Sequence, residues 1–340
     1  MCYPPYYNIL SLRTGAIENR VNFSGQLNRK LLLEPGHSYK NVHIIINPAS
    51  GPDRPILKTL NAVFQAAGID WEIYVTKQAG DAYHFARHSI AAGAEVVAAY
   101  GGDGTVMEAA SALAGSEIPL AIFPGGTGNV TANELGIPPD LVGAARLVGE
   151  TPSRLRSVDM GQVDERLFIL RVAIGLLAEI GPGANRQLKD YLGKLAYPLS
   201  AIQHLSNQKT ARYYLTLDGQ AVEAEGVLCT ILNVGGIGVG RFSLARGIQI
   251  DDGLLDVVVL TRANLAALAT IITNSIAGEE ANAEMQHWQA REITIVSEPP
   301  QAVTLDGELL HPTPLNIRLV PNAVRVIVPD KTDAFNPNLR

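Results

Sequence analysis

Glu95-Val-Val-Ala-Ala-Tyr100-Gly-Gly-Asp-Gly-Thr105-Val-Met107 is the stretch on which the fold turns. Its first half is an apolar run without polar alternation, the pattern of a strand covered on both faces. It ends in glycines, and a helical pattern follows from Val106 to Ala114. The same strand–turn–helix order flanks it. Upstream, the apolar run Val42–Ile46 leads into Asn47-Pro-Ala-Ser-Gly51 and a helical pattern over Pro55–Ala67, then a strand over Trp71–Val75 and a helix over Asp81–Ala92. Downstream, a strand over Pro119–Phe123 runs into Pro124-Gly-Gly-Thr-Gly-Asn129 and a helix over Val130–Leu135. Strands alternating with helices of this length predict right-handed crossovers and a parallel sheet with helices on both faces.

The rhythm changes near residue 155. Short strand patterns then succeed one another at Leu155–Val163, Leu167–Val172, Arg212–Leu217, Val227–Asn233, Leu254–Leu260, Glu292–Val296, Ala302–Leu305, Leu315–Leu319 and Val324–Val328. Turn signals such as Asp218-Gly219 separate several of them. Helical patterns interrupt at about Ala184–Asn207 and Asn264–Ala277. The expected architecture is therefore an α/β nucleotide-binding domain with a parallel sheet over residues 41–155, followed by an antiparallel β-sandwich domain over 156–330. Residues 1–40 form an extension without clean periodicity, and 331–340 a tail.

Composition bounds the function. Across 340 residues, 47% are apolar, 18% are charged and the net charge is −6. There is ample core material, which excludes wholesale disorder, and the acidic balance argues against a general nucleic-acid binder. Two cysteines exclude a disulfide framework or a cysteine-rich zinc site and suit a reducing compartment. The Ala263–Gly278 stretch is broken by polar residues, and the N-terminus lacks the apolar run of a signal peptide. A cytoplasmic protein is expected.

The three glycine-bearing loops fall where strands end and helices begin, the crevice in which open α/β sheets place ligands. Glycine amides and helix N-termini there favour phosphate. Asp103 is out of keeping with that, because a carboxylate beside phosphate repels it unless a cation lies between. It points either to Mg²⁺ or to a simple cap on the helix that begins near Thr105. The loops match neither the P-loop spacing nor the strict dinucleotide fingerprint.

Asn47-Pro-Ala-Ser-Gly51, Gly101-Gly-Asp-Gly-Thr105 and Pro124-Gly-Gly-Thr-Gly-Asn129 together resemble the catalytic-domain motifs of the diacylglycerol kinase family, in its soluble bacterial lipid-kinase form. That superfamily also includes sphingosine kinases and, more distantly, NAD kinases. The resemblance continues in order through Asn133-Glu-Leu-Gly-Ile-Pro138, Val158-Asp-Met-Gly161, Leu192-Gly-Lys-Leu-Ala-Tyr197, Asp251-Asp-Gly-Leu-Leu-Asp256 and Asp306-Gly-Glu308. It implies a nucleotide domain, a β-sandwich and an active site between them. It also implies that Asn47, Thr76, Gly101, Gly102, Asp103, Gly104, Thr105, Val106, Met107 and Thr127 contact ATP. Asp252, with carbonyls from Gln249 and Leu254, would hold Mg²⁺. Glu308, Asp306 or Asp103 would take the proton from a lipid hydroxyl, with Glu308 preferred.

The chain departs from the family in three places. Arg171 stands near the position where the family usually has asparagine, Gly175-Leu-Leu177 is more apolar than usual, and Arg246 or Gly247 replaces a frequent proline. All three lie in the second half and bear on the identity of the acceptor lipid. The seven histidines show no metal-like spacing, and Gly235–Gly240 reads as a close-packed turn. Arg186, Lys189, Lys194, Lys209 and Arg212 share a segment with a single acid, Asp190, and with several leucines. This is either a solvated helix face or a surface for an anionic membrane.

The expected enzyme is thus an ATP- and Mg²⁺-dependent kinase acting on a diacylglycerol-like lipid. It would be cytoplasmic and peripheral at the membrane, with homodimerisation left open and no nucleic-acid partner. An NAD kinase, or a non-catalytic lipid- or nucleotide-binding module, is the alternative.

Overall fold

The computed structural model describes residues 39–51, 54–149, 153–175, 210–236, 247–261 and 285–330. The apolar runs behave as their composition requires. β1 (Asn41–Ile46) is buried at five of six positions and β3 (Val96–Gly101) at all six. Such strands cannot lie at a solvent face. They pair in parallel, with β2 (Asp70–Val75) outside β1 and β4 (Leu120–Pro124) beyond β3. The helices that cover them are α1 (Ile56–Ala67), α2 (Asp81–Ala91) and α3 (Asp103–Leu113), followed by the short α4 (Val130–Glu134) and α5 (Leu141–Arg146). The pattern did not predict α5. Its signal is Asp140, whose carboxylate accepts the Gly143 N–H at 2.8 Å and caps the first turn.

The strands of the second half run β5 (Ser153–Val163), β6 (Arg166–Phe168), β7 (Arg171–Gly175), β8 (Ala211–Leu217), β9 (Gln220–Gly226), β10 (Leu228–Leu232), β11 (Leu255–Leu260), β12 (Met285–Ala290), β13 (Glu292–Glu298), β14 (Val303–Leu305), β15 (Glu308–Leu310) and β16 (Leu315–Pro329). Several alternate strictly: β8 buries Ala211, Tyr213, Leu215 and Leu217 and exposes the residues between them. That period of two marks a sheet with one face on a core. The buried residues of β8 and β13 meet those of β7, β10, β11 and β14 in a shared core that includes Phe168, Tyr213, Ile231, Val257, Ile293 and Leu315. Two packed antiparallel layers form the sandwich, with order β12-β11-β10-β7-β14-β15 in the second layer.

The first layer does not stop at the sandwich. Its order among the described residues is β2-β1-β3-β4-β16-β13-β8-β9, with β5 on β16 and β6 on β5. β16 splices the two halves together. Its start pairs antiparallel with β13, and Val326 pairs in parallel with Leu120 of β4. β5 follows it along most of its length, with a register shift between Val320 and Val324. The sequence pattern separates 315–319 from 324–328 because Pro321 and Asn322 interrupt the apolar run. In the fold they form the bulge of one bent strand. The pattern over Leu167–Val172 resolves the other way, into β6 and β7 with a break at Ile169-Leu170. The two expected helical inserts lie outside the described residues, as does nearly all of the basic segment.

Candidate functional site

Three turns converge at the carboxyl edge of β1, β3 and β4. The Asn47 N–H donates to the Tyr100 carbonyl at 2.9 Å, and its Nδ2 donates to Thr105 Oγ1 at 3.0 Å. The amides of Gly125 and Gly126 both donate to the Gly101 carbonyl, at 2.9 and 3.2 Å. The approach leaves no room for side chains. A Cβ on Gly51 would lie 2.2 Å from the Gly125 carbonyl oxygen, and one on Gly126 would lie 2.5 Å from the Gly102 Cα. These glycines let three backbone segments close into one cradle at the start of α3, whose first amides have no intrahelical partner. Gly101, Thr105 and Val106 are buried in it, Gly102 and Met107 are partly buried, and Gly104 is exposed. Thr76, also buried, sits at the end of β2 against the Ile46 carbonyl. Thr127 is exposed at the tip of the third turn.

Asp103 opens α3, which begins two residues before the expected start, and does not cap it. Its Oδ1 accepts from Thr131 N at 3.1 Å and Thr131 Oγ1 at 3.4 Å, tying α4 to α3.

Asp306-Gly307 is the turn of the β14–β15 hairpin, with φ of +48° and +94° and Leu305 paired to Glu308. Positive φ at both central residues is the type I′ hairpin geometry that Asp-Gly favours. Its outcome is specific. The Asp306 carboxylate accepts backbone N–H groups from Ile169 at 3.0 Å, Leu170 at 3.1 Å and Arg171 at 2.7 Å, and its own N–H donates to the Arg171 carbonyl at 2.9 Å. It thereby fixes the break between β6 and β7. Burial pushes its carboxyl up to about 6, against the pull of these amides. Glu308 is different: exposed, and ion-paired with Arg166 at 2.6 Å. Burial pushes the Glu108 carboxyl of α3 upward, and the charge of Glu308 adds to that.

The Asp251–Leu254 loop forms a second group. Asp252 accepts the Leu254 N–H at 3.0 Å. Asp159 of β5 spans the loop and the bulge of β16, accepting Gly253 N–H at 2.8 Å and Asn322 N–H at 2.6 Å. Asp251 receives a two-pronged bond from Arg156, both prongs 2.7 Å. Asp256, fully buried, accepts from Gln289 at 3.0 Å and lies 2.6 Å from His287 Nε2. Burial raises Asp252, and the charges of Asp256, Asp159 and Asp251 raise it further. Arg156 answers Asp251 and Arg291 reaches the Gly253 carbonyl, but among the described residues no cation is paired with Asp252 itself. The carbonyls of Ile250 and Gly253 already accept from Asp159 and Arg291, whereas no described residue donates to those of Gln249 and Leu254. No cluster of three or more His, Cys, Asp or Glu side chains converges among the described residues. The donors suit a cation held by one carboxylate and two carbonyls, with water left to complete the shell, and Mg²⁺ is commonly held by only one or two carboxylates while keeping several waters.

Four participants escaped the sequence reading. Glu108 accepts the Gly80 and Ala82 amides at 2.9 and 3.0 Å and caps α2 from a neighbouring helix. Asp159 lies within Val158-Asp-Met-Gly161, a motif that by itself assigns it no role. Arg156 had no local signal at all. Arg171 stands out in the sequence only as a departure from the family; burial disfavours its charge, and the charges of Asp306 and Asp103 oppose that.

Comparison with known proteins places these features in a family. Residues 41–163 match the diacylglycerol kinase catalytic domain, and residues 171–328 match the YegS C-terminal NAD kinase beta sandwich-like domain. The diacylglycerol kinase of Bacillus subtilis is 31% identical over 275 residues, covering 79% of this chain and 90% of that one. An uncharacterized Synechocystis protein is 28% identical over 312 residues, covering 85% and 70%. The crystal structure of a diacylglycerol kinase from Bacillus anthracis superposes with a TM-score of 0.70 at 29% identity, over 87% of this chain and 99% of that one. The glycine cradle, the caged hairpin and the spliced sheet thus come with both of the family's domains in their order, and the chain belongs to the diacylglycerol kinase family of lipid kinases.

Proposed function

We propose that this kinase transfers the γ-phosphoryl group of ATP to the hydroxyl of a diacylglycerol-like lipid. The observation that carries the reading is the cradle of three turns at the head of α3, with the Asp306–Glu308 hairpin and Arg171 beside it. In this reading Asn47, Gly101–Met107 and Thr127 hold the nucleotide, with Thr76 at the edge of the cradle. Backbone amides and the α3 N-terminus meet the phosphates, so binding depends on shape rather than on a lysine.

Glu308 takes the proton from the lipid hydroxyl as its oxygen attacks the γ-phosphorus. The bond to the β-phosphate oxygen breaks and ADP leaves. An exposed carboxylate suits a substrate delivered from a bilayer. Asp306 holds the Ile169–Arg171 backbone in place and is a positioning residue. Asp252, with the Gln249 and Leu254 carbonyls, would hold Mg²⁺, which when bound supplies charge neutralisation for the phosphates. Among the described residues no helix is long and apolar enough to cross a membrane, so we propose peripheral contact with an anionic bilayer surface.

The test is transfer of label from γ-labelled ATP in mixed micelles containing diacylglycerol and other lipid alcohols, with NAD in a parallel assay. Label in the phosphorylated lipid is expected. Label in NADP would replace this reading with NAD kinase. ATP binding with label in neither product would replace it with a non-catalytic module.

A further inference from the structure

We infer that Glu108 is a positioning residue of the nucleotide site: from the cradle helix α3 it clamps the loop between β2 and α2 as the wall that meets the nucleoside of ATP, and it closes that wall to phosphate. Two helix N-termini open on the same carboxyl edge of the sheet, that of α2 after β2 and that of α3 after β3, with β1 and its Asn47 turn between them. The unpaired amides at a helix start draw anions, so either end suits a phosphate until something fills it. Glu108 fills one of them. Its Oε1 accepts the Gly80 N–H at 2.9 Å and its Oε2 accepts the Ala82 N–H at 3.0 Å, so each carboxylate oxygen is committed to an amide of the neighbouring element. Gly80, buried and at φ +89°, directly precedes α2 and brings no side chain of its own to cap it. The Asp81 carboxylate takes two further amides of the same loop, Lys77 N–H at 2.8 Å and Gln78 N–H at 3.1 Å. A phosphate brought to this end would have to displace carboxylates that repel it. The head of α3 is arranged differently: the Asp103 carboxylate turns to Thr131 of α4 and leaves the α3 cap unfilled.

The clamp also fixes the spacing of two walls. Thr76 closes β2, and its N–H donates to the Ile46 carbonyl at 2.9 Å, one residue before the Asn47 turn. Four residues further on the loop reaches Gly80, where Glu108 holds it. The wall that carries Thr76 is thereby pinned from both ends, by β1 on one side and by α3 on the other. With the phosphates at the head of α3 and the Asn47 turn in the middle, the part of ATP that extends to this wall is the nucleoside. Loss of Glu108 frees the wall and leaves the bonds among the three glycine turns in place. The inference rests on the reading of the site as an ATP-dependent kinase and deepens it by giving the two ends of the nucleotide different supports.

The experiment compares the wild type with Glu108→Gln and Glu108→Ala, each checked by thermal melt. Titration calorimetry reads the affinity for ADP, competition reads that for inorganic tripolyphosphate, and the micelle assay reads kcat and the KM for ATP. Glu108→Gln keeps the size and one acceptor oxygen but turns an amide group towards the second N–H. We expect about a tenfold loss of affinity for ADP, the worth of one charge-assisted hydrogen bond, and a matching rise in KM. Tripolyphosphate should bind within about twofold of the wild type, and kcat at saturating ATP should stay within about twofold. Glu108→Ala breaks both bonds and should lose more ADP affinity still; the glutamine variant keeps the test decisive if the alanine variant fails to fold. A cap that served only the stability of α2 would lower the melt and leave this split unmoved.

Wild-type affinity for ADP in Glu108→Gln, an equal loss for tripolyphosphate, or a fall in kcat with KM unchanged overturns the inference while leaving the kinase reading intact. If the wild type binds ADP but labels no lipid, the acceptor reading falls, and the difference between ADP and tripolyphosphate alone decides for or against Glu108. If the wild type binds no ADP, both readings fall together.

Discussion

Asp218-Gly219 and Asp306-Gly307 are the same dipeptide in the same turn. Both close two-residue hairpins with positive φ, +47° and +84° in one, +48° and +94° in the other. Both aspartates accept main-chain amides. Asp218 takes those of Arg291 and Glu292 at 2.9 and 2.8 Å, and Asp306 takes three from Ile169–Arg171. There the likeness ends. Asp218 is exposed at the far edge of the first layer and staples β8 to β13. Asp306 sits where the two halves meet, facing Arg171, with Glu308 next along the strand and Glu108 across from it. The dipeptide dictates the turn. What the turn borders dictates the chemistry, and that is set by strands far away in sequence.

The largest effect should separate the residues that follow the two turns, Gln220 and Glu308. Glu308→Gln removes the proposed base and should lower kcat by about 10²–10⁴. Its ion pair with Arg166 is exposed, so the melting curve should shift by no more than about 1 kcal/mol of stability. Gln220→Glu should leave kcat unchanged. Wild-type kcat in Glu308→Gln would move the base to another carboxylate.

The same contrast explains what the sequence could and could not show. β1, β3 and β4 are legible because a doubly buried strand must be apolar throughout, and the cradle because close backbone approach demands glycine at Gly51 and Gly126. These are local requirements, written where they act. The Asp159 bonds to Gly253 and Asn322 span 94 and 163 residues, and Arg156 reaches Asp251 across 95. Nothing beside Arg156 announces its partner. Short edge strands such as β9, β12 and β15 also escape, since each borrows its order from a neighbour rather than from its own pattern. Asp306-Gly-Glu308 was recognisable only by resemblance, because Asp218-Gly219 shows that the dipeptide by itself is an ordinary turn.

A second difference between the hairpins is readable in stability against pH. The Asp306 carboxyl titrates at about 6 in the folded protein, above its ordinary value of 3.8, because it is buried. Between those values the folded chain binds the proton more tightly than the unfolded chain does. The stabilisation is therefore complete below about pH 4 and is lost as pH rises through about 6. At 1.36 kcal/mol per unit the swing is on the order of 3 kcal/mol. Asp306→Asn, which can still adopt positive φ, should flatten that part of the profile, whereas Asp218→Asn should leave it in place. Identical profiles for wild type and Asp306→Asn in denaturant titrations from pH 4 to 7 would show that the three amides, not burial, govern this carboxyl.

The smallest effect tests whether the two turns are alike where they ought to be. A Cβ on either Gly219 or Gly307 would meet nothing within 4 Å, so packing does not distinguish them. Only the positive φ penalises alanine, and left-handed backbone costs an L-residue about 1–2 kcal/mol. Gly219→Ala and Gly307→Ala should therefore destabilise the protein by nearly equal amounts in urea titrations. Their activities should differ, because a shift at residue 307 moves Glu308 and loosens the cage on Ile169–Arg171, whereas a shift at 219 moves an edge of the sheet remote from the cradle. Equal stability loss with unequal kcat would show that the two turns share their backbone energetics and differ only in what they hold. A much larger loss for Gly307→Ala would mean instead that the hairpin beside the cleft carries part of the fold itself, through the three amides that Asp306 gathers.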